Sequence, residues 1–304
     1  MTRCIITGGC GFVGSHLTEL LVKAGWKVVV IDNLFTKKNN VADLIRYGKI
    51  GFYEIDINHP GVKDIFAKEN PDYVFHLAAI PEVQYSIENP EETFLVNLMG
   101  SVRILELSRR CGVRKVIFSS SAAVYGEARL PYSGLDERQS LNPISPYGLQ
   151  KKQVEEVILS YNKHYNLSYA ILRYQNVYGP RQKEFGSYAP VMAIFQRQLE
   201  NKEPITVFGD GKQTRDFVHV KDVATANLMA AVSPLNGITN IGSGKKQKII
   251  DIAKLYTNNP TLVENPREGD IKHSFANIKK AKELWGWQPV IPFTEGFEEM
   301  QLSQ

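Results

Sequence analysis

Short apolar runs alternate with helical patterns along the first half of the chain. Apolar and β-branched runs predict five buried strands, at residues 4–6, 27–31, 51–55, 73–77 and 115–119. Helical periodicity lies between them, at residues 15–24 and over a long stretch from 90 to 111. Buried strands separated by helices are typical of a parallel sheet covered on both faces. We therefore predict an α/β protein with a doubly wound, Rossmann-type sheet.

The pattern becomes less regular in the second half. It predicts helices at residues 143–165, 187–201 and 249–256, strands at 168–173 and 205–208, and a loop at 179–189. We expect residues 1–175 to form the Rossmann domain, to which a segment near 215–242 returns. Residues 176–304 are expected to form mainly a smaller C-terminal α/β lobe that covers the open edge of the sheet.

Composition narrows the classes of function. The net charge of +4 comes from 36 basic and 32 acidic residues without long blocks of one sign, so no nucleic-acid partner is expected. Three cysteines indicate reduced thiols rather than a disulfide framework, and none has a partner at metal-ligand spacing. No stretch is long enough for a membrane span, and the apolar run near Met1 is too short for a signal peptide. We expect a cytoplasmic protein without a membrane partner or a metal.

A glycine-rich turn follows the first predicted strand. The sequence Thr-Gly-Gly-Cys-Gly-Phe-Val-Gly at residues 7–14 opens a helix, and that context gives the glycine pattern its meaning. Gly8, Gly11 and Gly14 permit a tight turn and let backbone amides approach a pyrophosphate at the helix N-terminus. This motif predicts a dinucleotide site.

The end of the second strand indicates which dinucleotide is bound. Asp32 can accept hydrogen bonds from both adenosine ribose hydroxyls, and its charge repels a 2′-phosphate, which favours NAD. Lys37 and Lys38 follow closely and keep NADP as the alternative. Other predicted cofactor contacts are the ends of the third and fourth strands, at Asp56, Ile57, Leu77, Ala78 and Ala79.

Three polar residues predict a site for hydride-transfer chemistry. Tyr147 and Lys151 are four positions apart on a predicted helix and therefore share one face. A free tyrosine has a pKa near ~10, and an ammonium group together with a positively charged nicotinamide is expected to lower it. Ser121 follows the fifth strand at the carboxyl edge of the sheet, where its hydroxyl can hydrogen-bond the substrate oxygen.

Six ordered motifs resemble those of extended short-chain dehydrogenases that act on nucleotide sugars, most closely the UDP-hexose 4-epimerases. The resemblance extends over essentially the whole chain. Its motifs are the glycine turn at 7–14, Ser-Ser-Ser-Ala-Ala-Val-Tyr-Gly at 119–126, Tyr-Gly-Leu-Gln-Lys at 147–151, Arg-Tyr-Gln-Asn-Val-Tyr-Gly-Pro-Arg at 173–181, Arg-Asp-Phe-Val-His-Val at 215–220 and Arg-Glu-Gly-Asp at 267–270.

The resemblance implies a role for individual residues. It makes Ser121, Tyr147 and Lys151 the catalytic trio. It places Tyr174 and Asn176 where nicotinamide and substrate meet. Further implied cofactor contacts are Phe12, Val13, Asn33, Asn97 and Ser119, and implied substrate contacts are Arg215, Arg267, Asp270 and Ser274.

Two of these substrate assignments concern the diphosphate and the sugar. Arg215 and Arg267 would clamp the diphosphate, a role that suits guanidinium groups. Family members use a bulky residue at the position of Ser274 to restrict the pocket to plain hexoses. The small Ser274 therefore predicts that N-acetylated sugars are also accepted.

The resemblance also implies a reaction. Related dehydratases and decarboxylases carry carboxylates where this chain has Ala122 and Ala123, which cannot move a proton. The expected activity is 4-epimerisation of UDP-glucose and UDP-galactose, and also of UDP-GlcNAc and UDP-GalNAc, through a transient 4-keto sugar. NAD would stay tightly bound and be regenerated in each turnover. A homodimer through helices 90–111 and 143–165 is expected, as in relatives.

Several residues depart from the family pattern and leave alternatives open. Ile80, Pro81 and Glu82 replace a common glutamine or lysine, Gln175 replaces phenylalanine, and Asn277 replaces aspartate. The alternative activities are a dTDP- or CDP-sugar epimerase or a 4-ketoreductase consuming external NADPH. A non-catalytic NAD-binding sensor is the alternative from another class.

Overall fold

The computed structural model describes residues 1–126, 133–182, 190–263 and 272–302. Within these ranges seven strands form one parallel sheet in the order β11-β6-β5-β4-β1-β2-β3. They are β1 (Arg3–Thr7), β2 (Lys27–Asp32), β3 (Gly51–Glu54), β4 (Tyr73–His76), β5 (Lys115–Ser121), β6 (Tyr169–Tyr174) and β11 (Gly237–Ile241). This order confirms the predicted doubly wound α/β fold, because strands are added outward on one side of β1 up to β3 and then on its other side from β4 onward.

Helices cover both faces of this sheet. One face carries α1 (Phe12–Lys23), α9 (Val220–Val232) and α11 (Lys279–Trp285), and the other carries α3 (Val62–Glu69), α6 (Ser101–Arg110) and α7 (Pro146–Tyr165). The strands are apolar on both sides because each side meets a helix layer, as expected for a buried parallel sheet. The remaining helices of the sheet half are α2 (Ala42–Arg46), α4 (Val83–Glu88) and α5 (Pro90–Phe94).

Several predicted boundaries need correction. The serines at 119–121 do not follow the fifth strand but form its last three residues. The stretch predicted as one helix from 90 to 111 consists of α5, a π-helical segment at Leu95–Gly100, and α6. The helix predicted to begin at 143 begins at Pro146, because the Ser145 hydroxyl accepts a hydrogen bond from the Gly148 amide (3.1 Å) and caps it.

The segment near 215–242 contributes a helix and a strand that the periodicity did not reveal. Helix α9 is rich in alanine and is buried along most of its length, so it lacks a polar stripe. It packs against α1, and β11 then pairs in parallel with β6 at the edge of the sheet. The chain therefore returns to the sheet after it has built part of the lobe.

The lobe is assembled from short pieces. In the described residues its strands form two-stranded pairs, namely β7 (Asn176–Tyr178) with β10 (Phe217–His219), β8 (Thr206–Phe208) with β13 (Thr261–Val263), and β9 (Thr214–Arg215) with β12 (Gln247–Lys248). Helices α8 (Val191–Glu200), α10 (Ile249–Ala253) and α12 (Phe293–Leu302) pack around them. The helix predicted at 187–201 begins at Val191, and the helix predicted at 249–256 ends at Ala253. Among the described helices, none has the length and apolar character needed to cross a bilayer.

Candidate active site

The glycine turn joins β1 to α1 at the carboxyl edge of the sheet. Gly8 has a φ of +74°, and a Cβ on it would lie 2.7 Å from the backbone nitrogen of Ala78. A Cβ on Gly14 would lie 2.1 Å from the Gly8 carbonyl oxygen, so any side chain there would open the turn. Gly11 precedes α1 and offers no side chain to its first amides. The helix N-terminus is thus bare backbone, which suits the approach of a pyrophosphate.

Polar side chains line the neighbouring strand ends. Asp32, at the end of β2, accepts hydrogen bonds from the backbone amides of Cys10 and Leu34, both at 2.9 Å. Burial raises the pKa of Asp32, and these two amides lower it. The amide of Asn33 donates to the Asp56 carboxylate at 2.7 Å. These carboxylates therefore lie together beside the glycine turn, where an adenosine ribose would lie.

Asn97 holds the loop that follows β4. Its side chain is buried in the π-helical segment, accepts from the Ile80 amide (2.8 Å), and donates to the Ile80 carbonyl (3.0 Å) and to Gln150 (2.7 Å). The loop after Leu77, Ala78 and Ala79 is thereby fixed against α7. A direct contact between Asn97 and a cofactor stays a prediction.

The structure brings the predicted trio together. Ser121 ends β5, and its side chain hydrogen-bonds Tyr147 on α7. The Lys151 ammonium donates to the Ser119 carbonyl at 2.8 Å and lies 5.8 Å from the centroid of the Tyr147 ring. The same ammonium lies 4.7 Å from the Phe118 ring centroid. Hydroxyl, phenol and ammonium thus converge at the sheet edge that carries the glycine turn.

Burial is the largest influence on the charges at this site. Burial raises the pKa of Tyr147 to about 12, the Ser121 hydrogen bond lowers it, and the charge of Glu82 raises it further. Burial lowers the pKa of Lys151 to about 7, and the charge of Glu155 opposes that shift. The sequence predicts that Lys151 and a positively charged nicotinamide together favour the phenolate, and this joint effect stays a prediction. In the structure the groups of the protein favour the phenol, because burial penalises both charged forms.

Tyr174 and Asn176 lie where β6 leads into the lobe. Tyr174 is paired in register with Ser121, and its hydroxyl exchanges hydrogen bonds with Asn227 (2.8 and 3.0 Å). Burial raises the pKa of Tyr174, and the proximity of Tyr147 adds to that effect. The Asn176 side chain is exposed and donates to the Asp216 carbonyl at 3.2 Å. Both residues therefore border the junction between the sheet and the lobe.

A cavity of about 280 Å³ lies in the lobe beside Asn176 and Arg215. Its other lining residues include Val191, Phe208, Gln213 and Phe217. Apolar and aromatic walls with one guanidinium fit a planar base next to an anionic group. These walls were not predictable from the sequence pattern, because their residues come from separate short elements. The sequence did contain one signal for this cavity, the aromatic Phe208 directly before the closely spaced Gly209 and Gly211.

Of the remaining predicted substrate residues, the structure describes Arg215 and Ser274. The Arg215 guanidinium donates to the Thr214 carbonyl at 2.9 Å. The amide of Ser274 donates to the same carbonyl at 3.0 Å, and the Ser274 side chain is buried. Ser274 is thus a near neighbour of Arg215. Arg267 and Asp270 lie outside the described residues.

Comparison with known proteins gives a consistent result. A family model described as the NAD dependent epimerase/dehydratase family matches residues 4–242. A putative UDP-glucose 4-epimerase of Methanocaldococcus jannaschii is 41% identical over 303 residues, which are 97% of this chain and 96% of the relative. A UDP-glucuronate 4-epimerase of Thermodesulfobacterium geofontis is 33% identical over 314 residues, covering 97% and 93%. The crystal structure of UDP-glucose 4-epimerase with UDP-glucose from Thermotoga maritima has a TM-score of 0.93 at 37% identity, covering 99% of this chain and 98% of that one.

Proposed function

The chain belongs to the NAD-dependent epimerase/dehydratase family, and we propose that it interconverts the two C4 epimers of a UDP-hexose through a transient 4-keto sugar. Its cofactor is NAD, as the sequence analysis predicted. The observation that carries the proposal is the contact between Ser121 and Tyr147, with the Lys151 ammonium one helical turn away at the edge of the glycine turn. This arrangement suits proton transfer at a sugar hydroxyl.

The sheet half fits NAD. The bare backbone from Gly8 to Gly14 would hold the pyrophosphate, and Asp32 would accept from the adenosine ribose. When bound, NAD would take the C4 hydride and return it to the opposite face of the sugar, and its positive ring would favour the Tyr147 phenolate. We propose that NAD stays tightly bound throughout the cycle.

The three side chains of the trio have different roles in proton transfer. Tyr147 takes the proton of the sugar 4-hydroxyl, and Ser121 orients the same oxygen through its own hydroxyl. Lys151, with a pKa lowered to about 7, loses its ammonium proton as the pH rises through that value. We therefore expect turnover to depend on pH in this range. The neighbouring Ala122 and Ala123 form a tight turn after β5 and carry no acid or base for elimination.

The lobe would bind the nucleotide sugar. We propose that the cavity beside Arg215 holds the uracil ring, and that Arg215, with Arg267 by family resemblance, holds the diphosphate. The sugar would then reach the junction bordered by Tyr174 and Asn176. The small side chain of Ser274 supports acceptance of UDP-GlcNAc and UDP-GalNAc beside UDP-glucose and UDP-galactose.

The protein is also proposed to be a homodimer. Large apolar side chains are exposed on the π-helical segment and on α7, among them Leu95 and Met99 (both 54% exposed) and Leu159 (39%). Two neighbouring elements with such a surface would form an isologous interface if a second copy packs against them. Sedimentation velocity should give twice the chain mass, and a monomer would contradict this proposal.

Replacement of Tyr147 by phenylalanine tests the proposed reaction. Wild-type protein should convert UDP-glucose to UDP-galactose without added cofactor, because an epimerase consumes no reductant. The Tyr147→Phe variant should lose roughly 10²–10⁴-fold in kcat while it still binds NAD, because only the proton-transfer group is removed. Tyr165→Phe, at the exposed end of the same helix, is the matched control.

The same assay separates the alternatives. Turnover that starts only when NADPH is added would indicate a ketoreductase. Activity with dTDP- or CDP-sugars alone would indicate an epimerase for another base. Wild-type activity in Tyr147→Phe would refute the assigned mechanism, and NAD binding without turnover of any nucleotide sugar would favour a sensor.

A further inference from the structure

One backbone amide in the first turn of α7 depends on a residue outside this helix. The Ser145 hydroxyl caps the helix and accepts from the Gly148 amide at 3.1 Å. Pro146, the first helical residue, has no amide hydrogen to donate. The helix's own cap therefore leaves the Tyr147 amide to another acceptor, and this amide belongs to the residue proposed to take the sugar proton.

Ser86 of α4 is the acceptor for this amide. Its hydroxyl oxygen lies 3.1 Å from the Tyr147 backbone nitrogen, and its hydroxyl hydrogen is donated to the Val83 carbonyl at 2.5 Å. Ser86 is completely buried, so solvent does not compete for either bond. A hydroxyl has one hydrogen, and because Val83 receives it, a lone pair of the oxygen faces the Tyr147 amide. Ser86 thus fixes the backbone of a residue 61 positions later in the chain.

The helix that carries Ser86 is itself tied to α7 at a second point. The Thr93 hydroxyl of α5 donates at 3.1 Å to the carbonyl of Asn89, where α4 ends. The Gln150 side-chain amide donates to the same hydroxyl at 2.9 Å, and both side chains are completely buried. Gln150 lies on α7, about one turn after Tyr147. Helices α4 and α5 are therefore held against the helix of Tyr147, and Ser86 is part of a rigid support.

A third contact confines the same turn beside β5. A Cβ on Gly148 would lie 2.6 Å from the carbonyl oxygen of Ala123, which is two residues after Ser121. The backbone of Tyr147 is thus placed against both α4 and the turn after β5, and from there its hydroxyl reaches the Ser121 side chain. Proton transfer is sensitive to such placement, because a displacement of ~1 Å can lower a rate about 10²-fold.

We propose that Ser86 is a positioning residue for the reaction. It holds the backbone of Tyr147 so that the phenol stays within hydrogen-bonding reach of Ser121 and of the sugar 4-hydroxyl. The inference rests on the proposed function and adds a residue to it. Ser86 acts through Tyr147 and contacts neither the sugar nor the cofactor in this role. Its loss should therefore slow the chemical step and leave binding intact.

Steady-state kinetics tests the proposal through the division between kcat and KM. Ser86→Ala removes the acceptor of the Tyr147 amide. At a temperature where the NAD-loaded variant is fully folded, its kcat for UDP-glucose should fall roughly 10–100-fold. The KM for UDP-glucose and the Kd of NAD should stay close to the wild-type values. Ser86→Thr keeps the hydroxyl and should recover most of the lost kcat.

Ser108 provides the matched control. It is a completely buried serine on α6 whose hydroxyl donates to the Ile104 carbonyl at 2.7 Å, as the Ser86 hydroxyl does to Val83. Ser108→Ala should keep the wild-type kcat. A serine with a purely structural role would lower the free energy of unfolding when it is replaced, and the kcat of the folded protein would not change.

A second measurement follows the tyrosine ring without turnover. Protein that contains 3-fluorotyrosine gives a fluorine NMR resonance for Tyr147, which is identified by its absence from the Tyr147→Phe variant. In Ser86→Ala this resonance should shift or broaden, because the ring loses its fixed position beside Ser121. In Ser108→Ala it should stay where the wild type has it.

The outcomes separate this inference from the proposed function. Wild-type kcat in folded Ser86→Ala, an unmoved Tyr147 resonance, or an equal loss of kcat in Ser108→Ala would overturn the role of Ser86 even if UDP-glucose is epimerised. A wild type that epimerises no UDP-hexose would refute the proposed function instead. The fluorine resonance would then decide by itself whether Ser86 positions Tyr147.

Discussion

A buried carboxylate stabilises each half of the molecule, but the two carboxylates have different partners. In the sheet half, Glu155 of α7 pairs with Arg173 of β6 at 2.6 Å and accepts from the Ser120 hydroxyl at 2.5 Å. In the lobe, Asp216 accepts from the backbone amides of Gly244 (3.0 Å) and Ala276 (3.1 Å) and from both the amide and the hydroxyl of Ser243. Glu155 neutralises a cation, and Asp216 connects separate loops through hydrogen bonds.

The difference shows how each half is assembled. Glu155 joins a helix and a strand that would pack through their apolar faces in any case, so it adds an ion pair to an existing core. Asp216 joins segments with little regular structure and separated by up to sixty positions in sequence. A carboxylate can satisfy several amides at once, which lets irregular backbone be buried without unpaired donors. The sheet half is thus stabilised by periodic packing, and this part of the lobe by polar connections between loops.

The largest effect is expected where the buried ion pair is broken. Glu155→Gln leaves the Arg173 guanidinium buried without its counter-charge, because both side chains are almost completely shielded. We expect the free energy of unfolding to fall by about 3–5 kcal/mol. Chemical denaturation followed by circular dichroism measures this change.

The neighbouring Glu156 provides the control for this substitution. Glu156 lies on the exposed side of α7 and approaches only Lys152, at 4.0 Å, so Glu156→Gln should change stability by less than about 1 kcal/mol. Glu155→Gln should also lower the pKa of Lys151 below about 7, because the charge of Glu155 raises it. The alkaline limb of the activity profile would then move to lower pH. Equal free energies of unfolding for the two variants would show that the Glu155–Arg173 ion pair does not stabilise the sheet half.

A smaller and more local effect is expected in the lobe. Asp216→Asn replaces one acceptor oxygen by an NH₂ group that faces amide donors, so we expect a loss of about 2–3 kcal/mol. Because Arg215 is adjacent and Asn176 bonds the Asp216 backbone, UDP affinity should fall while NAD affinity is retained. Calorimetry with UDP and with NAD measures both. Asp210→Asn, in an exposed turn, should leave both affinities unchanged, and a loss of NAD binding in Asp216→Asn would contradict a lobe-only role.

The same contrast explains what could be predicted from the sequence. Strands β1 to β6 and the glycine turn were recognisable because apolar runs, helical periodicity and closely spaced glycines are local signals in the sequence. Tyr147 and Lys151 were predicted to share a helix face, which the structure shows. The pKa of Tyr147 was not predictable, because it depends on burial and on Glu82, sixty-five positions away. Helix α9 escaped detection because it is buried nearly all round.

Each half also contains a buried histidine that is neutral at ordinary pH. In the sheet, His76 hydrogen-bonds Thr7 (2.7 Å) and Ser101 (2.8 Å), and burial together with the charge of Lys151 lowers its pKa to about 3. In the lobe, His219 caps α9 by accepting from the Lys221 amide (3.4 Å), and burial lowers its pKa to about 4.

The smallest expected effect is the contribution of His219 to acid lability. An unfolded histidine has a pKa near ~6.5, so below that pH the unfolded chain binds a proton that the folded chain refuses. The stability contributed by each buried histidine is therefore complete above ~6.5 and is lost at about 1.4 kcal/mol per pH unit as the pH falls towards the folded value. His219→Asn keeps a capping side chain and removes the titrating group, so stability measured by denaturation between about pH 6 and 5 should fall less steeply, by nearly that amount. His164→Gln, on the exposed end of α7, should keep the wild-type slope. If His219→Asn instead loses stability as steeply as the wild type, protonation in the sheet half, where His76 is buried, accounts for the whole loss of stability at low pH. His219 in that case takes up its proton without unfolding the lobe.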